Sequence, residues 1–261
     1  MPGEGSVYAG GNLTLNSAPK VTGSVIAGGD ISMQSTATIG KDAVAGGTFS
    51  SNDGQTVAQL KTTGALGGDA YPGSTVPAVS GDLPPQTTPA DYTTGQTLTW
   101  TQLMNQTAQA NNAPSWSQGL TSNPGCTMAS WGSSVNGSTV SISGNTLVDA
   151  TGSGCATVAL QSMTVKLRGD LTIYANGFST INGTSFVSGD GAVHRVSLVT
   201  TGPRGCSTSG NVSLSNNTTL SSSLLSVDAA GKLTIDGTVD VNGKVTAGCF
   251  TGSGAGVVGA H

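Results

Sequence analysis

Apolar residues in this chain fall on alternate positions, in runs only three to five residues long. Val7-Tyr8-Ala9-Gly10-Gly11 is followed by Val25-Ile26-Ala27-Gly28-Gly29 and then by Ala43-Val44-Ala45-Gly46-Gly47, so an Ala-Gly-Gly triplet returns every 18 residues. Between the triplets the alternation continues through Leu13 and Leu15, Ile31 and Met33, and Ile39. Alternation with period two marks strands with one buried face, and a fixed recurrence marks stacked repeats. Eighteen residues make one triangular coil of three short strands and three corners, and coils stack at roughly 4.8 Å. The spacing predicts an all-β fold, a β-solenoid (β-helix), over residues 5–50.

The second half carries the same pattern less regularly. Leu171-Thr172-Ile173, Val212-Ser213-Leu214, Leu233-Thr234-Ile235 and Val239-Asp240-Val241 alternate, separated by the turn pairs Asn176-Gly177, Asn182-Gly183, Asp236-Gly237 and Asn242-Gly243. Gly243-Lys-Val-Thr-Ala-Gly248 echoes Gly23-Ser-Val-Ile-Ala-Gly28, which assigns both thirds to one architecture. An immunoglobulin-like sandwich, the competing reading, has longer strands and a core Trp. The middle differs. Residues 62–95 hold Pro72, Pro77, Pro84, Pro85 and Pro89, the mark of an extended surface connection. Leu98, Trp100, Leu103, Met104 and Ala108 then predict a helix over about 97–112, placed to cap an end of the solenoid. The expected organisation is therefore N-terminal coils in 1–61, connection plus helix in 62–125, and irregular coils continuing the same domain in 126–261.

Composition sharpens this picture. Of 261 residues, 109 are Gly, Ser or Thr, while charged residues are 8% and Glu4 is the single glutamate. A helical bundle or coiled coil is excluded, because it needs Glu, Lys, Leu and Ala in bulk. Small residues in such number suit a narrow interior and tight corners instead.

Catalysis finds few ingredients. His194 lies in an alternating strand, where it is expected to point outward as a solvated residue, and Asp30, Asp170, Asp190 and Asp236 sit where corners need them. No serine-hydrolase elbow, zincin or phosphate-loop motif occurs, so no catalytic, cofactor-binding or metal-binding residue is assigned. The four cysteines, Cys126, Cys155, Cys206 and Cys249, allow three pairings. Sequential pairing is expected, since neighbouring coils bring Cα atoms to about 5 Å, within reach of a disulfide. Trp100, Trp116 and Trp131 cluster in the middle and are candidate ligand-binding aromatics. Lys166, Arg168, Arg195 and Arg204 are candidate DNA contacts, set against a net charge of -4 that gives phosphates no overall attraction. A Thr-rich face matching ice is a weaker thought, because Thr14 aligns with Ser32 and Ser50.

The repeats at Val7–Leu15 and Val25–Met33, and the closing Val241–Gly248, resemble the β-solenoid regions of type IV pilus-associated, PilX-like minor pilins and pilus tip proteins. Bactofilins share the coil length but are cytosolic polymers without disulfides. The resemblance implies an extracellular structural or adhesive module on the cell surface, presented on a pilus among other pilus subunits. It implies a surface glycan or host receptor as ligand, with DNA uptake by a DNA-binding minor pilin as an alternative. Contact with the membrane would run only through an apolar helix that this chain lacks. A polysaccharide-active β-helix enzyme, using paired Asp carboxyls, is the alternative of a different class.

Overall fold

Alternation turns apolar side chains inward, two from a three-residue strand such as Val7–Ala9 or Leu13–Leu15, and the strands pair in parallel through those positions. The computed structural model describes residues 5–34, 36–51, 70–73, 95–111, 125–129, 139–206, 209–215, 218–221, 223–255 and 257–258. Its strands form three faces of a triangular solenoid. In spatial order the first face runs β10 (Gln96–Thr99), β13 (Thr146–Asp149), β16 (Leu171–Ala175), β19 (His194–Thr200), β22 (Ser223–Ile235), β24 (Val245–Gly252), β1 (Val7–Ala9), β4 (Val25–Ala27), β7 (Ala43–Ala45) and β9 (Ala70–Tyr71). The second face runs β11 (Thr127–Ala129), β14 (Val158–Gln161), β17 (Phe178–Ile181), β20 (Val212–Leu214), the far halves of β22 and β24, then β2 (Leu13–Leu15), β5 (Ile31–Met33) and β8 (Phe49–Ser51). The third comprises β12 (Thr139–Ile142), β15 (Thr164–Leu167), β18 (Ser185–Ser188) and β21 (Thr219–Ser221), followed by β23 (Asp240–Val241), β25 (Val257–Val258), β3 (Lys20–Val21) and β6 (Thr38–Ile39).

One inward ladder traverses the whole first face: Leu98, Val148, Ile173, Leu198, Val227, Val245, Val7, Val25, Ala43 and Ala70 stand in register and are buried. The second face matches it with Val158, Phe178, Val212, Leu233, Phe250, Leu13 and Ile31. Each Val, Leu, Ile or Phe of these ladders contributes about 1.5–3 kcal/mol when fully buried. The core is thus a thin column and not a layer.

Chain order and stack order differ. The first coil docks on the last: Val7 pairs with Val245 on one side and Val25 on the other. From there the N-terminal coils run outward to β9, whereas β10 begins the opposite end and residues 139–258 return to the middle. β9 and β10, consecutive strands in the chain, therefore stand at opposite ends of the stack. The Pro-rich connection expected between them, like most of 62–95, lies outside the described residues. Two pieces of the stretch expected to be connection and helix are already rungs, namely β9 and β10.

The 18-residue coil holds between Val7, Val25 and Ala43 and again between Val227 and Val245. Val148, Ile173 and Leu198 are 25 apart, and Leu198 to Val227 is 29. The surplus includes the corner residues 151–157, 189–193, 201–206 and 209–210, which leaves the strands in register.

The helix α1 (Trp100–Ala110) follows β10 directly and buries Trp100, Leu103, Met104, Thr107 and Ala108. Thr99 and Gln102 close a capping box at its start, supplying two orphan N–H groups with acceptors. At its C-terminal end the Asn111 carboxamide imitates a strand: Nδ2 donates to Thr139 O at 2.9 Å and Oδ1 accepts from Thr139 N at 3.2 Å. A side chain thus occupies the edge that β12 would otherwise offer to a further strand.

Candidate functional site

The corners are held by side chains reaching one rung along the stack. Asn12 Oδ1 accepts from Asp30 N at 3.0 Å, and Asp30 Oδ1 accepts from Thr48 N at 2.7 Å and from Thr48 Oγ1 at 2.9 Å. At another corner Asn145 accepts from Asp170 N, and Asp170 accepts from Arg195 N. Asp236 accepts from Ser253 Oγ. The Asp residues considered for acid–base work are engaged in corner bonds of this kind.

Asp190 shows the same economy with a histidine added. It accepts from Ala192 N at 2.9 Å, from Ser188 Oγ at 3.2 Å and from His194 Nε2 at 2.8 Å. The Ala192 N–H first, then His194, hold its carboxyl below the usual carboxylate range. His194 leans on this turn, with its side chain only 11% exposed; it does not project freely from the strand as its alternation suggests.

The four basic candidates do not form one cluster. Lys166 is exposed on the third face, and Arg168 and Arg195 lie on successive rungs at the corner between the third and first faces, interleaved with Asp170 and Asp190. Arg204 lies beyond the other end of β19, where it makes a bidentate pair with Asp228 at 2.6 and 3.2 Å. Its charge is spent within the fold, which the sequence spacing conceals.

Trp100 is 1% exposed and belongs to the capping helix, so it offers no face to a ligand. Its position on the apolar side of α1 explains this, since the ring closes the end of the core column. Its Nε1 is buried without a hydrogen-bond partner. Trp116 and Trp131 lie outside the described residues.

The outward side of the second face carries a feature that sequence reading missed. Ser179, Ser213, Thr234, Thr251, Thr14, Ser32 and Ser50 occupy one register position on seven successive rungs. A row of hydroxyls at roughly 4.8 Å intervals therefore runs along the rod. Only Thr14, Ser32 and Ser50 were legible, because the other coils vary in length. Ser and Thr mix within the row, so it lacks the uniform side chain an ice lattice would ask for.

The cysteines pair sequentially. Cys126 joins Cys155, with Cα atoms 5.6 Å apart, and Cys206 joins Cys249, at 5.0 Å. Two structural bridges fit an oxidising, extracellular compartment. No helix among the described residues is long and apolar enough to cross a membrane, and these residues contain no group of three or more His, Cys, Asp or Glu able to hold a metal ion. No family model, curated protein or solved structure matches the chain.

Proposed function

We propose that this chain is an extracellular, non-enzymatic adhesive module, a stiff rod that presents its second face to a surface glycan or receptor from a filament of the type IV pilus kind. The observation that supports adhesion is the seven-rung hydroxyl row on a disulfide-stabilised face whose described strands carry one charged residue, Lys232. Such a row gives many weak, regularly spaced hydrogen bonds, and a rigid scaffold adds little ordering cost when they form together. Corner Asp residues already committed to structure leave little for catalysis, and the Arg204–Asp228 pair weakens a phosphate-binding role.

A glycan panel probed with the wild-type chain and with Thr14→Val, Thr234→Val and Thr251→Val combined tests the reading. Val keeps the shape and removes the hydroxyl. Binding to at least one surface glycan, reduced about tenfold or more by the triple change, is the expected result. Binding unchanged by it would place the contact elsewhere. The pilus assignment is checked separately, by immunogold labelling of sheared filaments from the source cells; unlabelled filaments would remove it.

A further inference from the structure

The seam at which the first coil meets the last is crossed by hydrogen bonds but by no peptide bond. Gly10 N donates to Ala247 O at 2.9 Å, Gly11 N to Gly248 O at 2.7 Å, Asn16 N to Gly252 O at 2.7 Å and Thr22 N to Val258 O at 2.8 Å. One disulfide sits against this seam. The loop carrying Gly205 and Cys206 leaves β19, crosses the corner of β22, where Gly205 N donates to Ala230 O at 3.1 Å, and reaches Cys249 in β24. The bridge thus skips a rung and fastens the very strand on which the first coil is seated.

Gly11 touches it. A Cβ at Gly11 would lie 2.7 Å from Cys206 Sγ and 2.9 Å from Cys249 Sγ, so the Gly10–Gly11 corner is packed directly on the sulfurs. Gly248 has no slack on its other side, because a Cβ there would collide with the carbonyls of Gly205 and Ala230.

We propose that the Cys206–Cys249 bridge is a redox latch for this seam: oxidised, it completes the seat of the first coil, and its reduction by a dithiol undocks residues 5–51 from β24 and β25 as a unit. In that exchange a reductant thiolate attacks one sulfur, the S–S bond breaks and the second sulfur leaves as a thiolate. The reductant's other thiol then resolves the mixed disulfide. The protein gains two electrons and two protons as a pair of cysteine thiols, and the reductant departs as its own disulfide. Two unjoined sulfurs need more room than a bonded pair. Cys206 is exposed, but Cys249 is buried with Gly11 packed on its sulfur, so the freed Cys249 thiol presses on the Gly10–Gly11 corner while the freed loop no longer holds β24 against β22. Undocking bares the parallel edges of β24 and β1, both ready to pair with another strand.

Hydrogen exchange read by mass spectrometry on the full chain tests this, before and after reduction with dithiothreitol and in Cys206→Ser/Cys249→Ser. Amides of residues 7–33 should exchange at least about tenfold faster once the bridge is gone, and those of 164–199 less than about twofold faster. Reduction of the folded wild type serves where the double variant does not fold. Cys126→Ser/Cys155→Ser, which removes the bridge at the helix end, should leave 7–33 unchanged. Gly11→Ala should speed exchange in 7–33 with the bridge intact. Unchanged exchange in 7–33 after reduction, an equal rise in both regions, or the same response to loss of the other bridge would overturn the latch.

Discussion

Asn12, Asp30 and Thr48 form a ladder at one corner in which the Asn12 and Asp30 side chains each accept from the backbone N–H of the next coil, and the Thr48 hydroxyl donates back to Asp30. Asp30 is held below the usual carboxylate range, chiefly by the Thr48 N–H and then by the Thr48 hydroxyl. An acid whose pKa is lower folded than unfolded contributes stability that is complete above its unfolded value, about 3.9, and is lost as pH falls through the folded one. Acid should therefore loosen the third coil ahead of the body. Exchange measurements at pH 6 and pH 3 should show Thr48 losing protection, and Asp30→Asn, which keeps the acceptor but cannot titrate, should blunt the loss. On the first face, burial and then the charges of Asp149 and Asp228 push the Tyr174 phenol above its ordinary value. An ultraviolet pH titration should place Tyr174 later than an exposed tyrosine, and Asp149→Asn should bring it part of the way back.

Among the elements, the capping helix covers one end of the core column with Trp100, Leu103, Met104, Thr107 and Ala108. Asn111 makes two backbone-like bonds to β12, so Asn111→Ala should cost about 1–3 kcal/mol through the groups left unsatisfied, seen as a lower Tm. Thr99→Ala should cost about 1 kcal/mol by opening the capping box. Within the column, Phe178→Ala should be the harsher change, at about 3–5 kcal/mol, because its ring is wedged between Val158 and Val212. The elements also show where sequence reading stops. Three Ala-Gly-Gly triplets gave away the N-terminal coils, and an apolar face with a Trp gave away the helix, placed at 97–112 against the observed Trp100–Ala110. Strand β22 was read as one short piece, Leu233–Ile235, yet runs for 13 residues. Ala229, Ala230 and Gly231 carry it round the corner without a turn pair to announce it. The hydroxyl row was hidden for a related reason: corners of unequal length destroy the period while leaving the register intact.

For the whole molecule, the order of stacking was the least legible property. Val7 lies against Val245 by the same side-chain logic that sets Val25 against Val7, and nothing local distinguishes a neighbour 18 residues away from one 238 away. The echo of Gly23–Gly28 in Gly243–Gly248 is the one trace of it, since those two segments flank the first coil in the stack. The same likeness yields a stringent prediction. Val21-Thr22-Gly23-Ser24-Val25 passes from one coil to the next, and Val258, Gly5, Ser6 and Val7 stand in register with Val21, Gly23, Ser24 and Val25. A permuted chain that runs from Gly95 to Val258, adds one residue and continues from Gly5 to Gly73 should fold to the same rod, with an unchanged circular dichroism spectrum. Exchange in 7–33 should then no longer respond to reduction.

Gly5 and Val258 meet at mid-length of the rod, on a single corner. Anything joined to either of them, whether an anchor, a filament subunit or a bead, would grip the molecule by its waist. Held in that way the rod lies crosswise to its tether, like the bar of a T, and can lay a flank along a surface where a tip-mounted module would touch it only at a point.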